Sequence, residues 1–151
     1  MAQIHEYPVT VTWQGGRDGS GSIACGNSGT TAPLAVGTEY QGSGKGTNPE
    51  ELLTAGIAAC YSMMFGIIAA NRKLQLVDIK TEAIGEVEQA GMQFVYKRIT
   101  LKPTITLEAG ADDSQTELAG DIAHKAESYC IVTASVKGNV ELVLVPTIVR
   151  S

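Results

Sequence analysis

The chain has 151 residues, 44% of them apolar, enough for one domain with a sizeable core. A net charge of −5 without a basic cluster argues against nucleic acid and against an anionic membrane surface as partners. The start MAQIHEYPVTVTW has neither a cationic segment nor an apolar run, so no signal peptide is expected. Cys25, Cys60 and Cys130 are too sparse, and odd in number, for a secreted disulfide scaffold, and a reducing cytoplasm is the expected compartment.

Tyr7 to Trp13 alternates, with Tyr7, Val9, Val11 and Trp13 on one face, and reads as a strand. QGGRDGSG follows as a Gly-rich hairpin connection, with Ser22 to Cys25 as the return strand. GNSGTTAP reads as loop, Leu34 to Tyr40 as a short strand, and QGSGKG as a flexible connector. A helix start is then strongly signalled: Asn48 suits the N-cap, Pro49 the first helical position, and Glu51 closes a capping box. This helix is expected to end near Arg72 and Lys73, whose charges favour the negative end of its dipole. Leu52 to Ala70 carries no formal charge and approaches spanning length, but it is rich in Ala, Gly, Ser and Thr. A helix buried on every side of a soluble protein is expected there, not a membrane span.

Asp78 to Glu88 and Met92 to Leu107 read as two strands. Ile99, Leu101, Ile105 and Leu107 alternate in the second, and Pro103 places it at an edge or a bulge. Ser114 and Glu117 suggest a second capping box, opening a helix with Leu118, Ile122 and Ala126 on one face and Cys130 near its end. Val140 to Val149 reads as a final strand. With no internal repeat or interdomain linker, a single domain over residues 1–151 is expected, of class α+β.

His5 and His124 and the three cysteines lie far apart, with neither C-x-x-C nor H-E-x-x-H spacing, so no metal site is expected. GSGKGT only superficially resembles a phosphate-binding loop, because Gly46 follows Lys45 where Ser or Thr is required. The thiols remain. A single buried cysteine is ordinarily a small hydrophobe, but here two helices carry one each. If those helices pack, Cys60 and Cys130 approach disulfide range, and a cytosolic pair of this kind is more often redox-active than structural. Cys25, near a Gly-rich turn, keeps the plain packing reading. A reactive thiol needs a nearby positive charge, and Arg17 in GGRDG is the candidate; its alternative is a solvated turn residue. Glu50, unlike Glu51, has no structural duty in the capping box, so it either complements the helix dipole or holds an arginine.

GTNPEELLTAGIAAC resembles the most characteristic segment of the OsmC/Ohr family of thiol-dependent hydroperoxide reductases. HKAESYCIVTASV resembles the family's second cysteine motif, and WQGGRDG the arginine loop of its Ohr branch. The resemblance runs from about Val9 to Val145. It implies an α+β fold of two central helices on bent antiparallel β-sheets, in an intertwined homodimer. It implies that Cys60 is the peroxidatic and Cys130 the resolving cysteine, that Arg17 is the Ohr-type arginine, and that Glu50 is its glutamate partner. The OsmC branch carries its arginine just before the connector, where this chain has Glu39 in VGTEYQG. The family usually has Pro after the second cysteine, and this chain has Ile131.

The implied activity is reduction of organic hydroperoxides through a Cys60 sulfenic acid and a Cys60–Cys130 disulfide, with a dithiol such as dihydrolipoamide or a dihydrolipoyl protein as reductant. No flavin, haem or metal is implied. An apolar surround including Tyr61, Met63, Met64 and Phe65 is expected to favour alkyl or acyl hydroperoxides. A rival reading is a non-catalytic thiol sensor or small-molecule-binding protein on the same fold, which would need neither Arg17 nor Glu50. On one continuous helix, Glu50 and Cys60 would stand ~15 Å apart along the axis and about 80° apart around it. Either the helix breaks, at Gly56 for example, or Glu50 serves the Cys60 of another chain.

Overall fold

The computed structural model describes residues 1–151. It comprises two compact units, Met1–Leu52 and Leu53–Ser151.

The N-terminal unit is a three-stranded antiparallel sheet in the order β1 (Val9–Gln14), β2 (Ser20–Cys25), β3 (Thr31–Leu34). The expected hairpin forms, with Trp13 opposite Gly21 and Gln14 opposite Ser20. Its turn depends on Gly19: a Cβ there would run into the carbonyl oxygens of Gln14 and Gly16. The apolar face of β1 has no cover, and Val9, Val11 and Trp13 are all exposed. Two expectations are corrected. Thr31, Ala32 and Pro33 belong to a strand, not to a loop, because β2 pairs with them from Ala24 to Ser22. Leu34 to Tyr40 is not a strand: β3 stops at Leu34 and Thr38–Tyr40 winds into a 3-10 turn. The local glycines favour the compact turn, and Gln41 closes it in the left-handed region at φ 64°.

Helix α1 (Pro49–Asn71) begins where the sequence signals it. Asn48 Oδ1 accepts the Glu51 backbone N–H at 2.8 Å, and Glu51 Oε1 accepts from the Asn48 side-chain amide at 2.7 Å. The box is therefore closed between side chains, where a Ser or Thr cap would have used its own backbone N–H. The helix is unbroken through Gly56. It ends one residue ahead of Arg72, with Lys73 left-handed at φ 57° and Leu74 N–H returning to the Ala69 carbonyl. Arg72 pairs with Asp121.

In the C-terminal unit, β4 (Leu76–Ala90) and β5 (Gln93–Leu107) form a long antiparallel hairpin. Gly91 takes φ 64° at the first position of its two-residue turn, a position that favours glycine. Along β5, Ile99, Leu101, Pro103, Ile105 and Leu107 all point inward. Pro103 is not at an edge. β5 is flanked by β4 on one side and on the other by β6 (Glu141–Leu144) and β7 (Thr147–Arg150), both parallel to it. β6 covers Arg98–Leu101 and β7 covers Thr104–Leu107, so Pro103 falls at the gap where no second-side partner requires its missing N–H. The single final strand expected over Val140 to Val149 is correspondingly two strands, interrupted at Val145 and Pro146. The fold is α+β, its second sheet mixed where antiparallel pairing alone was expected.

Helix α2 (Asp113–Tyr129) is capped by Asp112, whose carboxylate accepts the Gln115 N–H at 3.1 Å. Ser114, the expected cap, instead donates to Asp112 at 2.6 Å, because the helix starts before it. Ile122 and Ala126 face inward as expected, with Ala119 and Ala123 beside them. A short helix α3 (Ile131–Val136) follows at once.

α1 contributes the stripe Ile57, Tyr61, Phe65 and Ala69 to one core with β5 and α2. Fully burying a side chain such as Ile57 or Phe65 is worth roughly 1.5–3 kcal/mol. The expected burial on every side is met on this stripe alone: Met63 is 69% and Ile67 55% exposed. α1 is also the one helix long and apolar enough to cross a membrane, with 22% of its most apolar window buried. A flank of α1 is tied to the β4–β5 hairpin by two hydroxyl pairs. Ser62 meets Thr81 at 2.6 Å, and Thr54 meets Tyr96. Gly85 makes room for the second pair, since a Cβ there would overlap both hydroxyl oxygens. Gly85→Ala is therefore expected to destabilise the protein by about 1–3 kcal/mol. Tyr96→Phe in the same chain should recover part of that loss, read as non-additivity in denaturant unfolding.

Candidate active site

Cys130 stands between two helices and closes both. Its extended backbone, φ −72° and ψ 112°, ends α2 and begins α3. Its N–H reaches back to the Glu127 carbonyl, and its own carbonyl accepts the Ala134 N–H at 3.0 Å. Its sulfur takes the part of a Ser or Asp cap oxygen, accepting the Thr133 N–H at 3.3 Å. The residue is 1% exposed.

Cys60 lies on α1, one residue from the buried stripe, and is half-buried. α1 is pinned to α2 next door, where the Tyr61 hydroxyl donates to the Ala123 carbonyl at 3.0 Å. Burial, and then the nearby Glu127 carboxylate, push the Tyr61 hydroxyl far above its ordinary pKa. At Gly56, one turn before Cys60, Val132 of α3 comes within 3.9 Å of where a Cβ would stand. These contacts bring Cys60 to the start of α3. Its thiol stands near enough to the Cys130 sulfur and to the backbone N–H groups of Val132 and Ile131 to be influenced by each. Burial first, then the Cys130 sulfur, push the Cys60 thiol above its ordinary pKa, and the two N–H groups pull in the opposite direction.

The structure thus brings together the two cysteines singled out in the sequence. The other two candidates belong to the N-terminal unit. Arg17, in the β1–β2 turn, donates to Gln41 Oε1 at 3.4 Å. Glu50 sits in the first turn of α1, where its charge acts on Tyr40. Burial, then Glu50, then Glu39 raise the Tyr40 pKa. Arg17 and Glu50 are therefore engaged by adjacent residues of one loop. Neither Tyr40 nor Gln41 carried a signal in the sequence, and neither did the backbone donors of Ile131 and Val132. A Pro after Cys130 would have removed one of those donors. Tyr61 and Phe65, expected around a substrate, are instead fully buried in the core, while Met63 is exposed and Met64 packs partly against that core. Cys25 ends β2 opposite Val9 and is half-buried.

Residues 42–145 match the family model described as OsmC-like protein. An uncharacterized protein of Bacillus subtilis, YmaD, is 34% identical over 95% of this chain and 94% of its own. The Escherichia coli protein named peroxiredoxin OsmC is 31% identical over 73% of each chain. A protein of Xanthomonas axonopodis pv. citri named organic hydroperoxide resistance protein is 31% identical over 91% of this chain and 92% of its own. Among solved structures, an organic hydroperoxide resistance protein from Legionella pneumophila superposes with a TM-score of 0.73 at 25% identity, covering 95% of this chain and 99% of that one. The paired thiols at the α2–α3 junction, the fold and these matches agree, and the chain belongs to the OsmC-like family.

Proposed function

We propose that the protein is a thiol peroxidase that reduces organic hydroperoxides in the cytoplasm as part of oxidative stress defence. The observation that carries this reading is the contact between the Cys60 thiol and the Cys130 sulfur, made where two backbone N–H groups face Cys60. The Cys60 thiolate attacks the distal peroxide oxygen, the O–O bond breaks, and an alcohol leaves after taking a proton. Cys60 is now a sulfenic acid. The Cys130 thiol attacks its sulfur, expels water and leaves a Cys60–Cys130 disulfide before over-oxidation can occur. A dithiol returns both cysteines to thiols by exchange. No cofactor is needed for this cycle.

A thiol held above its ordinary pKa is a poor supply of thiolate at neutral pH, and the cycle needs a cation to reverse that. Arg17 is assigned this role, with Glu50 holding its guanidinium in a bidentate pair. α1 is unbroken from Pro49 to Asn71, so Glu50 is ~15 Å along the helix from the Cys60 of its own chain. The site is therefore assigned to a homodimer in which Glu50 serves the Cys60 of the other copy. The exposed apolar residues of α1, Met63 and Ile67, and the uncovered face of β1 supply surface for that dimer.

Cys60→Ser is expected to abolish turnover, and Cys130→Ser to leave one oxidation event per site. Mass spectrometry after one equivalent of cumene hydroperoxide should show the Cys60–Cys130 disulfide. A link to Cys25, or a single oxidation without turnover in excess dithiothreitol, would reject the peroxidase cycle in favour of another resolving partner or a sensor.

Two further variants separate the influences on Cys60, each read from thiolate absorbance against pH in a Cys25→Ser, Cys130→Ser background. Arg17→Ala should raise the Cys60 pKa by removing the cation; an unmoved curve would make Arg17 a turn residue only. Ile131→Pro should also raise it, by removing one N–H donor. The helix should tolerate this change, because Pro suits the first helical position and Cys130 is already extended ahead of it.

Sharing of the site is tested by complementation. Glu50→Ala and Cys60→Ser chains, each inactive, are unfolded together and refolded into mixed dimers. One intact site of two should return; verified mixed dimers without activity would reject the shared site.

A further inference from the structure

The cycle above does not determine which sulfur of the Cys60–Cys130 disulfide an external thiol attacks. A cavity of about 430 Å³ opens at the α2–α3 junction, with Cys130, Thr133, Ala134 and Leu142 in its wall and Glu127 and Lys137 also lining it. Cys130 lines it and Cys60 does not. The cavity falls within the ordinary range for small-molecule sites. Its wall also holds an unmet polar group: the Thr133 hydroxyl is buried without a hydrogen-bond partner, in a residue only 8% exposed. Buried polar atoms almost always have partners, so this hydroxyl, enclosed behind the wall, is an exception. The same residue's backbone N–H is on the Cys130 sulfur, and both residues line the cavity, so a guest in it would lie beside Cys130.

We propose that this cavity admits the reductant, an uncharged dithiol, and that the reductant attacks the Cys130 sulfur. The inference rests on the peroxidase reading only for the disulfide itself. The entering thiolate forms a bond to the Cys130 sulfur, and the bond between Cys130 and Cys60 breaks. Its electron pair goes to the Cys60 sulfur, which leaves as a thiolate toward the N–H groups of Ile131 and Val132. These N–H groups offset part of the burial that disfavours a thiolate at Cys60, and the choice of sulfur rests on which of the two lines the cavity. The reductant's second thiol gives up its proton and attacks the reductant sulfur bound to Cys130. A cyclic disulfide departs, and Cys130 takes up the proton. The reductant is oxidised by two electrons and the protein disulfide reduced by two. One negative and one positive side chain line the cavity, which suits a neutral dithiol arm better than an anionic thiol such as glutathione.

The test starts from protein oxidised with diamide, which makes the disulfide without any hydroperoxide. It is exposed briefly to 2-mercaptoethanol, quenched with N-ethylmaleimide, and mapped by mass spectrometry. Mercaptoethanol on Cys130 and maleimide on Cys60 are expected; the reverse pattern overturns the proposal and leaves the peroxidase reading standing. A protein that forms no Cys60–Cys130 disulfide with diamide overturns both. As a second measure, Ala134→Trp places bulk in the cavity wall at an exposed helix position. It should slow reduction of the disulfide by dithiothreitol about tenfold while leaving oxidation by cumene hydroperoxide unchanged. Equal slowing of both half-reactions, or of neither, overturns the assignment.

Discussion

The candidate site depends on one residue that interrupts a helix without losing its hydrogen bonds. Between α2 and α3 the backbone turns extended at Cys130 alone. A break of this kind leaves carbonyls at one helix end and N–H groups at the other without helical partners. Cys130 meets part of both needs, donating its N–H to α2 and accepting with its sulfur from α3. The geometry that closes the helices thus also fixes the sulfur. A side chain immobilised by its own cap leaves little to chance in where the second thiol stands.

The same break supplies the environment of Cys60. The first N–H groups of α3 are without helical acceptors, and two of them face the Cys60 sulfur. They do not outweigh burial, since the thiol remains above its ordinary value. Fixed dipoles in a partly dry site are modest in water's terms but stronger under low dielectric, and they need no rearrangement when charge appears. Stiff elements of the C-terminal unit hold the sulfurs and their N–H donors.

The sequence disclosed whatever depends on local pattern. The Asn48 cap, the alternation through Ile99 to Leu107 and the Gly-rich first hairpin are set by neighbours within a few residues, and they formed as read. Long-range pairing was hidden. Pro103 looked like an edge or bulge residue because only the change from β6 to β7 on one side of β5 makes a proline harmless there. Leu34 to Tyr40 looked like a strand because its apolar spacing does not disclose the 3-10 turn that the surrounding glycines favour. At the site, the thiols were legible as residue types on two helices. Their N–H donors were not, because a backbone group becomes functional through position alone. Tyr40 and Gln41 were missed for a related reason: their significance lies in what acts on them, ten and 24 residues away in sequence respectively.

α1 carries two requirements that pull its composition in one direction. One stripe, Ile57 to Ala69 at every fourth position, is needed for the core of its own unit. The opposite side keeps Met63 and Ile67 in contact with solvent. A helix serving only its own core would be polar there. Small side chains at Ala55, Ala59 and Ala70 lie on that exposed side as well, and small residues permit close approach of a second backbone. Cys60 falls between the two faces, half-buried by its own chain. A residue so placed is reached by the core on one flank and by whatever covers the helix on the other. The unbroken helix that keeps Glu50 away from the Cys60 of its own chain therefore also leaves one long side apolar and exposed.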